Sequence, residues 1–349
     1  MKATIIHVVN SNRFSGLESV ACDIIDGNND KYNQIYVTRN GDVVDILKKR
    51  KIPYEIIKKV STREIKRVIK KYNPDVIHAH DFTASCVCAM TLTKIPIISH
   101  LHHDAPWLKK INLKTIMYLI CSYKIKLILT VSDSIQNEYI FSRYIKNKIM
   151  CIGNPVSVKK IQSRVTNNEK KEYDICCVGR LTEAKNPLLF VKIISEIVKI
   201  KPNLKVIWVG DGEERESTLR TARNLNVMKN IDFVGFKENP YTYMAESKIF
   251  LLTSKWEGYG LVAFEALSLG LPCIVSNVGG LPGIVDNTCG FICNNENEFE
   301  TNILKIIDDE KIYTELSLNC LKKAKKLENL DMYLATINKL YEDVMKNED

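Results

Sequence analysis

The stretch Thr253-Ser-Lys-Trp-Glu-Gly-Tyr-Gly-Leu-Val-Ala-Phe-Glu265 places two glycines and two carboxylates at the start of an apolar run. Glycine lets a backbone approach a ligand closely, and the first amides of the helix expected over 261–269 point outward with the positive end of the dipole. Gly258, Tyr259, Gly260, Leu261 and Val262 thus form an anion site built largely of backbone, suited to a diphosphate. Glu257 in the loop and Glu265 one turn into the helix bracket it, where carboxylates accept hydrogen bonds from sugar hydroxyls. Glu265 lies among Ala263, Phe264, Ala266 and Leu267, a poor setting for a charge without a partner.

A second group of cations follows an earlier apolar run, in Val178-Gly-Arg-Leu-Thr-Glu-Ala-Lys185-Asn-Pro. Arg180 and Lys185 fall just past a strand end, where open α/β sheets bind ligands. Arginine forks onto phosphate oxygens and lysine adds a point charge. All six histidines lie within residues 7–103, with His100, His102 and His103 at the end of one strand and His78 and His80 at the end of its neighbour. The spacing of His100, His102 and His103 does not favour three ligands on one metal, and no acidic partner is evident, so no metal site is expected. No Asp-x-Asp pair offers a divalent-ion site either.

These residues need strand ends to present them. In the first half, strand-like runs at 4–9, 34–37, 54–57, 75–79, 95–99 and 126–131 alternate with helical segments. The clearest helix opens at Ser61-Thr-Arg-Glu64, a capping box, and ends before Pro74. The second half repeats the pattern with strands at 174–178, 205–209, 231–234, 249–252 and 273–276. Asn186-Pro187 reads as a helix start, and Gly270 with Pro272 as a helix stop. Alternation in both halves predicts two Rossmann-like, doubly wound parallel-sheet domains facing across a cleft. The expected boundaries are 1–155 for the first, a polar linker at 156–171, and 172–329 for the second. A last helix, about 330–349, would cross back onto the first domain.

The segment from Glu257 to Glu265 resembles the Glu-x7-Glu signature of family-4 glycosyltransferases, which have the GT-B fold. Its continuation through Gly279-Gly280 is also similar to that family. The resemblance implies a retaining enzyme that takes sugar from a nucleotide-diphosphate donor, with Glu265 on the ribose and Glu257 on the donor sugar. Arg180 and Lys185 match the family's Gly-Arg-Leu-x4-Lys element, which holds the diphosphate as leaving group. Phe236 matches the position that contacts the base through backbone groups. Gly16, in Ser15-Gly16-Leu-Glu18, is similar to the glycine-rich loop that nears the donor phosphates. His102, six residues after Pro96, matches a histidine that contacts the donor sugar near the reacting carbon. Two departures stand out: Ser15 replaces the first glycine of the usual pair, and Gly283 stands where many relatives carry glutamate.

Composition narrows the partners. The chain has 349 residues and a net charge of +9, and residues 48–71 hold eleven Lys/Arg against Glu55 and Glu64. Residues 107–126 add five lysines and no acid. A basic first half points to an anionic partner. Without a basic stripe interleaved with aromatics, an anionic membrane face and a lipid-linked or saccharide acceptor are expected rather than nucleic acid. The segment from Trp107 to Ile111 reads as an interfacial element. No apolar run reaches the length of about 18 residues that spans a bilayer. The eleven cysteines sit largely in apolar runs, as reduced thiols of a cytoplasmic protein do. The expected activity is assembly of a cell-surface polysaccharide with a UDP-sugar and no cofactor or metal. A nucleotide-sugar epimerase of the same fold and an inactive partner subunit are the alternatives. A dehydrogenase is disfavoured, because Gly210-Asp-Gly212-Glu-Glu-Arg215 ends in arginine where a dinucleotide turn needs a small residue.

Overall fold

The central apolar runs read as strands are buried on both faces, as parallel strands covered by helices must be, while the edge runs at 54–57 and 231–234 are partly open. The computed structural model describes residues 2–102, 106–166 and 171–346. It divides into two units: residues 1–155 with 329–349, and residues 156–328.

The first unit carries β1 (Thr4–Val9), β2 (Asn33–Arg39), β3 (Tyr54–Ile57), β4 (Val76–His80), β5 (Ile97–Leu101), β6 (Leu127–Thr130) and β7 (Ile149–Cys151). They form one parallel sheet in the order β3-β2-β1-β4-β5-β6-β7. The chain reverses its direction of growth between β1 and β4, so their carboxyl ends form the switch point where such sheets bind ligands. The helix Thr62–Tyr72 starts at Ser61, whose hydroxyl accepts from the Glu64 amide, and ends at Asn73 in the left-handed region. The helix Leu330–Lys346 belongs to this unit, and its Tyr341 hydroxyl lies 2.7 Å from His78 Nδ1.

The second unit carries β8 (Tyr173–Val178), β9 (Val206–Val209), β10 (Ile231–Gly235), β11 (Ser247–Leu252), β12 (Cys273–Ser276) and β13 (Gly290–Cys293). They are all parallel, in the order β10-β9-β8-β11-β12-β13, with the switch point between β8 and β11. Trp208 anchors the core under β8, edge-on to Phe190 and donating its indole N–H to the Gly179 carbonyl at 2.9 Å.

Several expectations change. The stretch 156–171, read as a linker, carries the helix Val158–Gln162 over its described part. Val156, Val158 and Ile161 join the second core, and Gln162 Nε2 donates to the Ser268 carbonyl. Asn186 does precede the helix Pro187–Ile200 as its N-cap, but at φ 50° and with no side-chain cap bond. Strands β7 and β13 were not anticipated. All eleven cysteines are free, and Cys151 alone is exposed. Among the described residues no helix is long and apolar enough to cross a membrane.

Candidate functional site

In the second unit, β11 leads directly into the loop 253–260. Gly260, at φ 89°, turns the chain into the helix Leu261–Ser268. The first amides of any helix lack intrahelical acceptors, so those of Leu261 and Val262 face outward at this strand end. Gly279 and Gly280 fix the loop from beneath. The Gly280 amide donates to the Gly258 carbonyl at 3.0 Å, and Gly279, at φ 54°, lies so close to Glu257 that a Cβ would overlap its carbonyl. The similarity of Gly279-Gly280 to the family thus acquires a physical reason: the loop bearing Glu257 rests on bare backbone.

Glu257 is held from two sides. Ser254 Oγ donates to its Oε1 at 2.8 Å, and Lys185 forms an ion pair with the same oxygen. Both charged side chains are largely shielded, 19% exposed for Lys185 and 12% for Glu257, so each depends on the other more than a surface pair would. Lys185 is presented by the single turn Glu183–Lys185 that follows β8. The Thr253 hydroxyl donates to the carbonyls of Lys185 and Asn186, stitching the β8 and β11 exits together. Arg180, by contrast, is exposed at the end of β8.

Glu265 has the partner that its apolar setting demanded. The Tyr241 hydroxyl donates to its Oε1 at 3.0 Å, and the Arg164 guanidinium lies 5.0 Å from the Tyr241 ring centre. Phe236 follows β10 at the sheet edge and is half exposed. The unit therefore brings Lys185, Glu257 and Gly258 to Val262 together, with Arg180 just past β8 and Glu265 in the helix that follows β11. Neither Ser254 nor Tyr241 was singled out in the sequence. Ser254 lies inside the quoted motif, whereas Tyr241 precedes Glu265 by twenty-four positions and gives no local signal.

In the first unit, Gly16 opens the helix Gly16–Asn28 after Ser15. Ser15 has work of its own: its hydroxyl donates to the buried Glu18 carboxylate at 2.6 Å. Burial raises the Glu18 pKa, and the hydroxyl offsets part of that. Asp81, just past β4, is pushed up to about 6 by burial, against the Ala84 and Thr83 amides that favour its anion.

His102 is one end of a ladder. Gln34 Nε2 donates to the Ile25 carbonyl, which leaves its Oε1 to accept from His7 Nε2 at 3.0 Å. His7 Nδ1 then accepts from His80 Nε2 at 3.2 Å, and His80 Nδ1 from His102 Nε2 at 3.0 Å. Each neutral ring so linked carries its proton on Nε2. Beside this chain, His78 links Tyr341 to His100 Nδ1, while His100 Nε2 is buried without a hydrogen-bond partner among the described residues. His103 lies outside the described residues. Burial lowers the His7 pKa to about 4 and holds His78, His80 and His100 well below the ordinary value.

The local spacing of three histidines gave no metal cluster, but the register of neighbouring strands makes one conceivable in geometry. His7 is the pairing partner of His78 and His80 that of His100. Ring nitrogens of His7, His78 and His80, and of His80, His100 and His102, lie within 4.8 Å of one another. A cation there would have to displace the hydrogen bonds of the ladder. One cavity of about 600 Å³ lies beside Arg39, Lys58 and Arg67 in the first unit, and one of about 640 Å³ beside Asn186, Thr253 and Asn277 in the second.

Comparison with known proteins adds a lineage. Residues 158–327 match the model of "Glycosyl transferases group 1", and residues 26–160 match "Glycosyltransferase Family 4". An uncharacterized glycosyltransferase of Methanocaldococcus jannaschii is 27% identical over 244 residues, covering 64% of this chain and 60% of that protein. The UDP-Gal:alpha-D-GlcNAc-diphosphoundecaprenol alpha-1,3-galactosyltransferase of Escherichia coli is 26% identical over 311 residues, covering 80% and 78%. Among solved structures, Anabaena Alr3699/HepE in complex with UDP and glucose superposes with a TM-score of 0.86 at 18% identity, over 98% of this chain and all of that one.

Proposed function

As the chain is a glycosyltransferase of the family-4 type with the GT-B fold, we propose that it moves a sugar from UDP to a lipid-linked or glycan acceptor in cell-surface polysaccharide assembly, with retention at the anomeric carbon. The observation that carries this reading is the shielded Lys185–Glu257 pair beside an outward-facing helix start. A diphosphate would draw Lys185 away from Glu257, and Glu257 would then be free to accept from donor-sugar hydroxyls. Glu265, steadied by Tyr241, is the ribose partner. The amides from Gly258 to Val262 and the Arg180 guanidinium take the phosphate charge, and the backbone at Phe236 takes the base.

In the transfer, the bond from the anomeric carbon to the β-phosphate oxygen breaks. The acceptor oxygen bonds to the same face of the sugar, and its proton passes to the departing phosphate. Catalysis then rests on positioning and on electrostatic stabilisation of the leaving charge by Arg180, Lys185 and the amides. That chemistry calls for no divalent metal. The E. coli relative's name supports a UDP-sugar and a diphosphoundecaprenol-linked acceptor. The lack of any spanning helix among the described residues is compatible with peripheral contact at the cytoplasmic membrane face.

The test is a panel of nucleotide sugars incubated with a diphosphoundecaprenol-linked acceptor, with the anomeric configuration of the product read by NMR. Transfer with retention, undiminished by EDTA, is the expected result. Inversion would remove the mechanism. EDTA inhibition reversed by manganese would remove the metal-free reading. Free isomerised nucleotide sugar formed without acceptor would replace the transferase with an epimerase.

A further inference from the structure

The helix Leu113–Ser122 is inside out. Its buried face is Thr115, Tyr118, Cys121 and Ser122, whereas Leu113, Ile116 and Ile120 face solvent. With Tyr123 they fall within an arc of about 80° at the usual 100° per residue. The exposures are high, 76% for Leu113, 58% for Ile120 and 76% for Tyr123, with Ile111 at 68% just before the helix. Of the seventeen exposed large apolar side chains among the described residues, ten lie between Met90 and Met150, so the surface is concentrated rather than scattered.

The stripe is held rigidly. The Tyr118 ring meets Phe82 and Tyr139, and its hydroxyl lies 2.8 Å from Ser99 Oγ. Asn112 and Thr115 form a reciprocal capping box, and Asn112 Nδ2 donates to the Trp107 carbonyl. Within the segment expected to be interfacial, Trp107 packs edge-on against Phe82 and Leu108 is fully buried, while Ile111 is exposed. The anchoring residues are thus inside, and the residues that follow them are the exposed ones. Phe82 meets Tyr118 and Cys86 meets Cys121, so the helix Phe82–Ala89 runs alongside in the same direction. It delivers exposed Met90 and Leu92 at the far end of the stripe.

We propose that this stripe docks the first unit on an anionic phospholipid bilayer, with Ile111, Leu113, Ile116, Ile120 and Tyr123 entering the headgroup–acyl boundary. Charge decides the occupant. Lys109, Lys110, Lys114, Lys124 and Lys126 are exposed around the stripe, and residues 107–126 contain no acid. Lys109 pairs with Glu138 at 3.0 Å. A second copy placed face to face would set lysine against lysine. An anionic leaflet offers the lysines phosphate and the aliphatic groups hydrocarbon, the two attractions that bind amphipathic helices at a surface. The proposal rests on the reading that the acceptor is lipid-linked only for the use of such docking; the binding itself stands on the surface.

Flotation of the full chain with phosphatidylcholine vesicles, with and without phosphatidylglycerol, tests it. The chain should float with the anionic vesicles and stay behind with the neutral ones. The variant Leu113→Ser/Ile120→Ser, at exposed positions, should bind about tenfold more weakly with an unchanged thermal midpoint. Lys110→Gln and Lys114→Gln should each weaken binding about fivefold. Failure of the wild-type chain to float with anionic vesicles, or equal flotation of the serine variant, overturns the proposal. So does a dimer in sedimentation that the serine variant dissolves, which would assign the stripe to a second copy. Transfer to a short, water-soluble acceptor should survive in every variant. Its absence in the wild-type chain would count against the transferase reading and leave the docking result standing.

Discussion

At the end of β8 an exposed arginine emerges, followed by a lysine locked to a glutamate; around the switch point of the first unit, β1, β4 and β5 carry buried imidazoles instead. Six strands of the first unit follow the same order as the six of the second, so equivalent switch points are furnished with opposite chemistry. The second unit gathers Arg180, Lys185, Glu257 and Glu265 at its switch point and shields them only partly. The first buries His7, His78, His80 and His100 completely, and burial keeps them uncharged near neutral pH. A charged set suits binding of a polyanion and stabilisation of its departure. A neutral, directionally hydrogen-bonded set fixes which ring nitrogen carries a proton. The fold supplies the location and the side chains alone decide the task.

The sharpest way to break this contrast is to remove charge from the second unit. Arg180→Ala and Lys185→Ala should each lower kcat by about 10² to 10³, the scale of losing one strong electrostatic contact to a developing anion. His102→Ala should fall short of that, since the contact it removes is to the donor sugar rather than to the departing phosphate. Initial-rate kinetics on the three variants decide it, and equal losses would erase the distinction.

The next effect lies in stability against pH. Histidines whose folded pKa is depressed bind protons more readily when unfolded. The stability they allow is complete above about 6.5 and is lost as pH falls toward the folded value of about 4 for His7. Each contributes up to about 1.4 kcal/mol per pH unit across that window. Asp81, raised to about 6, and Glu18, also raised, act in the opposite sense, because their folded forms take up protons first. Four histidines outweigh two carboxyls, so thermal scans should show the midpoint dropping between pH 6.5 and 5. His7→Gln should flatten part of that slope, whereas Lys185→Ala should leave it unchanged.

The smallest effect concerns a neutral group inside the charged site. Tyr241→Phe leaves Glu265 with one hydrogen bond fewer, worth about 1.5 kcal/mol to a charged acceptor. KM for the donor should rise about tenfold with kcat little changed. A fall in kcat with unchanged KM would move Glu265 from donor binding to the reacting centre.

Much of this was legible in the residues. Strand–helix alternation follows from apolar runs that local spacing reveals, and the glycines before residue 261 announce a loop turning into a helix. Strand β7 escaped because it is three residues long with two of them exposed, which leaves no periodicity to read. The histidine ladder escaped for another reason. It is made by register, with His7, His78 and His100 brought side by side from three strands far apart in the chain. Tyr241 escaped similarly, since its hydroxyl reaches Glu265 across the unit. Within the segment from Trp107 to Ile111, the Trp107 ring turns to Phe82 while Ile111 faces solvent, a split that a tryptophan beside lysines does not reveal by itself.

The helix Leu330–Lys346 sets an order of events during synthesis. Residues 156–328 form a unit whose sheet and core are complete once residue 328 has left the ribosome. The first unit, begun earlier, must wait for Tyr333, Ile337 and Tyr341 to cover β4 and the helix Gly16–Asn28. Until then His78 lacks the Tyr341 hydroxyl that ends its hydrogen-bonded chain. The half translated first is therefore the half finished last, and a nascent chain arrested near residue 328 would carry a finished second unit beside an uncovered first one.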